Sequence, residues 1–95
     1  MQSGEIEVLL EIGQSYLLNK EYDKAIVKFS AALKINPHDP ELYYYLGLAY
    51  EGAGRWEDAK NMYEKAIQLD RSFSNAEIRI NEIKNKLSPE DKKRK

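Results

Sequence analysis

A chain of 95 residues with no cysteine, one histidine and a net charge of −1 excludes much of the chemistry open to larger proteins. It allows one small domain, which buries roughly 60–65% of the surface its unfolded form exposes. Disulfides and thiolate metal sites are ruled out, and His38 alone cannot build a metal centre. No apolar run approaches the ~20 residues of a membrane span, and no signal-peptide pattern opens the chain. A cytoplasmic setting without membrane insertion is therefore the default, although a removed signal or a domain cut from a longer protein would read the same.

The charge is uneven. Lys92 to Lys95 hold four positive charges, so residues 1–91 carry 11 basic and 16 acidic side chains, a net of −5. An acidic body does not suit a phosphate backbone, so no nucleic-acid partner is expected. The 88–95 stretch reads as a solvated basic tail.

In chain order, residues 1–5 form a frayed start. A first helix is predicted from about Glu5 to Leu18, with Val8, Leu9, Ile12 and Tyr16 at helical spacing. Asn19-Lys20-Glu21 makes a turn. A second helix runs from about Tyr22 to Ile35 with Ala25, Ile26, Phe29, Ala32 and Leu33 on one stripe, and Asn36-Pro37 stops it. Asp39 caps a third helix, with Pro40 at its first position and Glu41 complementing the helix dipole. That helix ends at Gly52-Ala53-Gly54, where glycine permits a left-handed turn. A fourth runs from about Arg55 to Leu69.

The fifth helix starts at Ser74-Asn-Ala-Glu77, a capping-box pattern, with Phe73 and Ile78 placed as a hydrophobic staple. Ala76, Ile80, Ile83 and Leu87 form one narrow stripe. The remaining side, Arg79 included, is polar and faces water. Ser88-Pro-Glu-Asp91 reads as a further helix start, but no apolar stripe follows it.

The packing positions repeat at 34 residues. Gly13, Tyr16, Tyr22, Ala25, Phe29, Ala32 and Leu33 are followed by Gly47, Tyr50, Trp56, Ala59, Tyr63, Ala66 and Ile67. Such a period marks a helix-turn-helix solenoid. Continued once more, it puts Asn81 and Lys84 where Gly13 and Tyr16 stood. No second helix is expected to pack there, so helix five is a solubilising cap.

These residues resemble the tetratricopeptide repeat family. Its pattern is matched by Leu9, Ile12-Gly13, Tyr16, Ala25, Phe29, Ala32 and Pro37. It is matched again by Tyr43, Leu46-Gly47, Tyr50, Ala59, Tyr63 and Ala66, with Arg71 in place of the proline. The resemblance implies an all-α, right-handed α-solenoid of antiparallel helix pairs, five helices in all. Repeat one spans 6–39, repeat two 40–73 and the capping helix 74–87. It also implies a concave groove lined by the first helix of each pair, which receives a partner's peptide or helix.

Carried over by position, the groove residues are Glu7, Leu10, Gln14, Leu17 and Leu18 from repeat one. Repeat two supplies Glu41, Tyr44, Leu48, Glu51 and Gly52, and the cap supplies Asn75, Ile78 and Glu82. Leu10, Tyr44, Leu48 and Ile78 then form an apolar strip with an acidic fringe. Consecutive helical residues point about 100° apart, so of Tyr43-Tyr44-Tyr45 the first is read as packing, the second as facing the groove, and the third as lying at an inter-repeat edge. One subclass of the family clamps the C-terminal carboxylate of heat-shock chaperones with lysine, asparagine and a further cation. The matching positions here are Leu10, Gln14, Tyr44, Leu48, Ile78 and Glu82. They hold no cation, so that subclass is rejected.

No nucleophile-histidine pair or glycine-rich phosphate loop is present, and Glu57 and Asp58 open helix four as dipole partners. A non-enzymatic, cofactor-free module binding a protein or peptide is the leading expectation. The alternative is structural: self-association, or a section of a longer solenoid, because helix one carries Ile6, Val8 and Leu9 with no preceding pair to cover them.

Overall fold

A computed structural model describes residues 2–87, with side chains from residue 4 onward. The basic tail and the Ser88-Pro turn lie outside the described residues. Five helices follow in order: α1 (Gln2–Leu18), α2 (Tyr22–Ile35), α3 (Pro40–Gly52), α4 (Trp56–Leu69) and α5 (Ser74–Leu87). Each packs on the next, and α1 also reaches α3. The stack is elongated, 55 × 29 × 16 Å. Its shortest dimension admits little more than one helix on another, since a helix with side chains is about 10–12 Å across.

The helices end where local chemistry ends them. Asp39 accepts the Glu41 backbone N–H at 3.0 Å, and Pro40 follows it as the first helical residue, as expected. At the end of α3, Arg55 N–H reaches the Tyr50 carbonyl at 2.9 Å and Gly54 N–H the Glu51 carbonyl at 3.0 Å. Gly54 takes φ +80° there. This is the left-handed closure that glycine favours. Thirty-four residues earlier α1 closes the same way, through Glu21 to Tyr16 and Lys20 to Leu17. The left-handed residue is then Lys20, at φ 63°.

Two boundaries differ from the sequence reading. Helix α1 begins at Gln2, so residues expected to fray are helical. Gly4 weakens this turn without stopping it, no proline intervenes, and Glu5 adds a carboxylate to the first turn. At α5, Ser74 is already the first helical residue instead of its cap. The turn before it is held by Asp70, whose Oδ1 accepts from the Ser72 N–H at 3.0 Å and the Ser72 hydroxyl at 2.6 Å. The staple is also replaced: the Phe73 ring packs on Tyr44, centroids 5.1 Å apart, while Ile78 stays 54% exposed.

The core runs between the helices in two clusters. One joins Ala25 and Phe29 of α2 to Leu46 and Ala49 of α3. The other joins Ala59, Tyr63 and Ala66 of α4 to Ala76, Ile80 and Ile83 of α5. The close approaches depend on glycine. A Cβ on Gly13 would stand 2.6 Å from Phe29 Cε1, and one on Gly47 2.5 Å from Tyr63 Cε1.

Candidate functional site: the face formed by α1, α3 and α5

The expected groove residues come from these three helices, and burial sorts them. Leu10 and Leu17 are half-buried against the Phe29 cluster, and Leu48 against the Tyr63 cluster. Gln14 is half-buried, while Glu7 and Glu82 are exposed. Ile78 stands out, since its neighbours on the helix, Ile80 and Ile83, are buried. It lies off the packing stripe of α5, as the helical period requires.

Tyr44 is less available than expected. Its ring lies 5.6 Å from Tyr63 and 5.1 Å from Phe73, and burial raises its phenol pKa. It serves the packing between α3, α4 and the start of α5 while keeping one edge open. Tyr45 takes the inter-repeat position, stacked on Phe29 of α2 at 5.5 Å. Tyr43 donates its hydroxyl to the Pro37 carbonyl at 3.0 Å.

Glu51 corrects the reading of an acidic fringe. Its side chain is only 10% exposed. Tyr63 Oη donates to Glu51 Oε1 at 2.8 Å, Arg79 Nε donates to the same oxygen at 3.1 Å, and Arg79 Nη2 pairs with Oε2. Arg79 is thus turned inward, where the sequence reading had it facing water. Its Nη1 also meets Glu82 Oε1 at 3.3 Å. Burial, and then the bond to the carboxylate, pushes the Tyr63 phenol well above the ordinary tyrosine value. The carboxylate holds the guanidinium still more firmly in its charged form.

Each member of this clasp has a counterpart one period earlier. Glu51, Tyr63 and Arg79 sit 34 residues after Leu17, Phe29 and Tyr45. The first interface fills these three positions with an apolar and aromatic set, and the second fills them with a hydrogen-bonded set.

Beside the clasp is a concavity of about 380 Å³ lined by Leu17, Tyr22, Leu48, Glu51, Gly52, Trp56 and Arg79. Gly52 does more than end α3, because a Cβ there would overlap the Tyr22 ring. Lys86 lies over the Trp56 ring at 5.1 Å. At the opposite end, Asp39, Glu41, Asp70, Phe73 and Asn75 line a second concavity of about 470 Å³. Among the described residues, no group of His, Asp or Glu has a metal-holding arrangement.

Stacked helix pairs with one side-chain-lined face define a helical-repeat scaffold. The chain belongs to the tetratricopeptide repeat family: a TPR repeat model matches residues 13–54 and a tetratricopeptide repeat model matches residues 40–73. It is 34% identical over 80 residues to the peroxisomal targeting signal receptor of Candida glabrata, which covers 84% of this chain and 14% of that receptor. It is 36% identical over 66 residues to superkiller protein 3 of Saccharomyces cerevisiae, covering 70% of this chain and 5% of that protein. The chain thus spans a small part of the curated relatives it matches.

Among solved structures, the Arabidopsis OM64 TPR domain superposes with a TM-score of 0.88 at 21% identity, over 94% of this chain and 74% of that one. The first TPR of Spaghetti (RPAP3), bound to the HSP90 peptide SRMEEVD, gives 0.86 at 26% identity, over 92% and 69%. The Sgt2 TPR domain of Aspergillus fumigatus gives 0.84 at 29% identity, over 90% and 56%.

Proposed function

We propose that this chain is a protein-interaction module whose concave face receives an apolar-anchored segment of a partner protein. In this reading 6–39 and 40–73 act as its two repeats and 74–87 as the cap. Ile78 carries the proposal: a large aliphatic side chain more than half exposed, at a position that the repeat pattern assigns to the groove with Leu10, Tyr44 and Leu48. The TPR relative named as a receptor and the neighbour solved with a bound peptide support the same class of partner. We assign the face no catalytic chemistry, since Glu51, Tyr63 and Arg79 are occupied with one another. A cytoplasmic setting belongs to the same proposal; no described helix is long and apolar enough to cross a membrane.

The test compares Ile78→Ser with Ile83→Ser, measuring melting and partner capture on the same samples. Ile83 is fully buried, and truncating such a residue costs about 2–5 kcal/mol. Ile78→Ser should lose partners with little change in melting, and Ile83→Ser should melt early. Retention of every partner by Ile78→Ser would remove the groove from consideration.

A structural reading has its own observation. Val8 and Ile12 are 53% and 37% exposed, while Leu42 and Leu46, 34 residues later, are buried, Leu46 in the cluster with Ala25 and Phe29 of α2. That face of α1 suits another stacked helix, from a second copy or a longer array. Sedimentation over a wide concentration range separates the readings, because a strict monomer excludes self-association.

A further inference from the structure

Resting on the groove reading above, we infer that the partner segment is basic: apolar anchors flanked by lysine or arginine. The argument is charge complementarity. Four carboxylates hold the expected groove positions, those of Glu7, Glu41, Glu51 and Glu82. Against them stand Arg79 and Lys86, a net of −2. The guanidinium is already engaged, and Lys86 is the one exposed cation set against them. Arg79 spends Nε and Nη2 on Glu51 and Nη1 on Glu82, and Lys86 lies over the Trp56 ring. Glu7 and Glu41, by contrast, enter no ion pair among the described residues.

The sign is opposite to what an acidic peptide needs. The RPAP3 neighbour holds SRMEEVD, whose charges are mostly negative. Here Glu82 flanks Arg79, the one guanidinium on this face among the described residues, and a peptide carboxylate approaching it would meet Glu82 first. A lysine or arginine meets unpaired Glu7 at one wall and Glu41 at another, while aliphatic anchors cover Ile78 and Leu48. The face is about as long as α3, whose 13 residues span roughly 20 Å. A helical segment of about 12 residues matches that length.

Three labelled 12-residue peptides test this by fluorescence anisotropy with the full chain. They share two leucines four residues apart and carry lysine, serine or glutamate flanks. The expected order of affinity is lysine, serine, glutamate, and the lysine peptide should weaken as salt rises. Glu82→Lys and Glu7→Lys, both at exposed positions, should each weaken the lysine peptide by roughly three- to tenfold at low salt and strengthen the glutamate peptide. Equal or tighter binding of the glutamate peptide overturns the charge inference and leaves the groove standing. Binding of all three unaffected by Ile78→Ser places the contact elsewhere and overturns the groove reading itself. Absence of binding by the lysine peptide overturns the proposed partner.

Discussion

Arg79 of α5 grips the Glu51 carboxylate at the end of α3, 28 residues earlier, while Tyr63 of α4 donates to the same carboxylate. Three helices meet in this contact, so the last helix is held by a directional clasp as well as by its apolar stripe. At the equivalent positions of the preceding interface, Phe29 and Tyr45 stack at 5.5 Å and Leu17 packs beside them.

Removing the guanidinium leaves a nearly buried carboxylate without its counter-charge. A fully buried pair broken this way costs about 3–5 kcal/mol. Arg79 is one-third exposed, so solvent screening lowers the expectation for Arg79→Ala to about 1–3 kcal/mol. The triple variant Glu51→Leu, Tyr63→Phe, Arg79→Tyr copies the first interface and should recover most of that loss, because apolar replacement of a buried pair is often neutral. Urea denaturation of both variants checks it. A triple variant less stable than Arg79→Ala would mean that the two interfaces are not interchangeable.

Stability should fall at alkaline pH. Below about pH 10, the ordinary phenol value, Tyr63 and Tyr44 keep their protons in both states and their contribution is fully present. Above it the unfolded chain ionises while buried Tyr63 does not, and Tyr44 adds in the same direction. Folding then loses up to about 1.4 kcal/mol per pH unit for each such tyrosine. Urea midpoints between pH 8 and 11 should fall, and Tyr63→Phe should make the fall shallower. An unchanged slope in that variant would contradict the assignment.

Lys20 occupies the left-handed position that Gly54 fills in the other repeat. That conformation costs an L-residue about 1–2 kcal/mol, partly offset in a glycine variant by about 0.4–1 kcal/mol of added unfolded-state freedom. Lys20→Gly should therefore stabilise by about 0.5–1 kcal/mol. Gly54→Ala should destabilise although it meets no neighbouring atom within 4 Å. Thermal melting of the two variants should move in opposite directions.

Helix propensity alone favours alanine over glycine by about 1 kcal/mol. At Gly13, Gly47 and Gly52 the sign should reverse, since the new methyl would strike the rings of Phe29, Tyr63 and Tyr22. A loss of about 1–3 kcal/mol is expected at each. Gly4, with nothing within 4 Å, is the control and should gain from the same substitution.

The fold was legible because the residues that make it recur. Gly13 and Gly47, Ala25 and Ala59, Phe29 and Tyr63 are read as one pattern whatever lies between them. The clasp was not legible from the same pattern, because its members change chemistry between copies: leucine becomes glutamate, and tyrosine becomes arginine. A helical-wheel view of α5 shows Arg79 only as polar. Its long side chain returns to the interior because the Glu51 carboxylate, itself held by the Tyr63 hydroxyl, offers it a partner there. The start of α5 misled in another way. Ser74 and Glu77 have capping-box spacing, but the Asp70–Ser72 turn had already begun the helix one residue earlier than that cap requires.

The most direct measurement of the proposed groove is a titration of the ¹⁵N-labelled chain with the lysine-flanked peptide, followed by amide and side-chain chemical shifts. We expect the largest changes on α1, α3 and α5, centred on Leu10, Gln14, Tyr44, Leu48, Ile78 and Glu82, with the outer residues of α2 and α4, such as Val27 and Asn61, unmoved. Changes centred on Val27 and Asn61, or confined to Val8 and Ile12 on the open side of α1, would contradict a concave binding face.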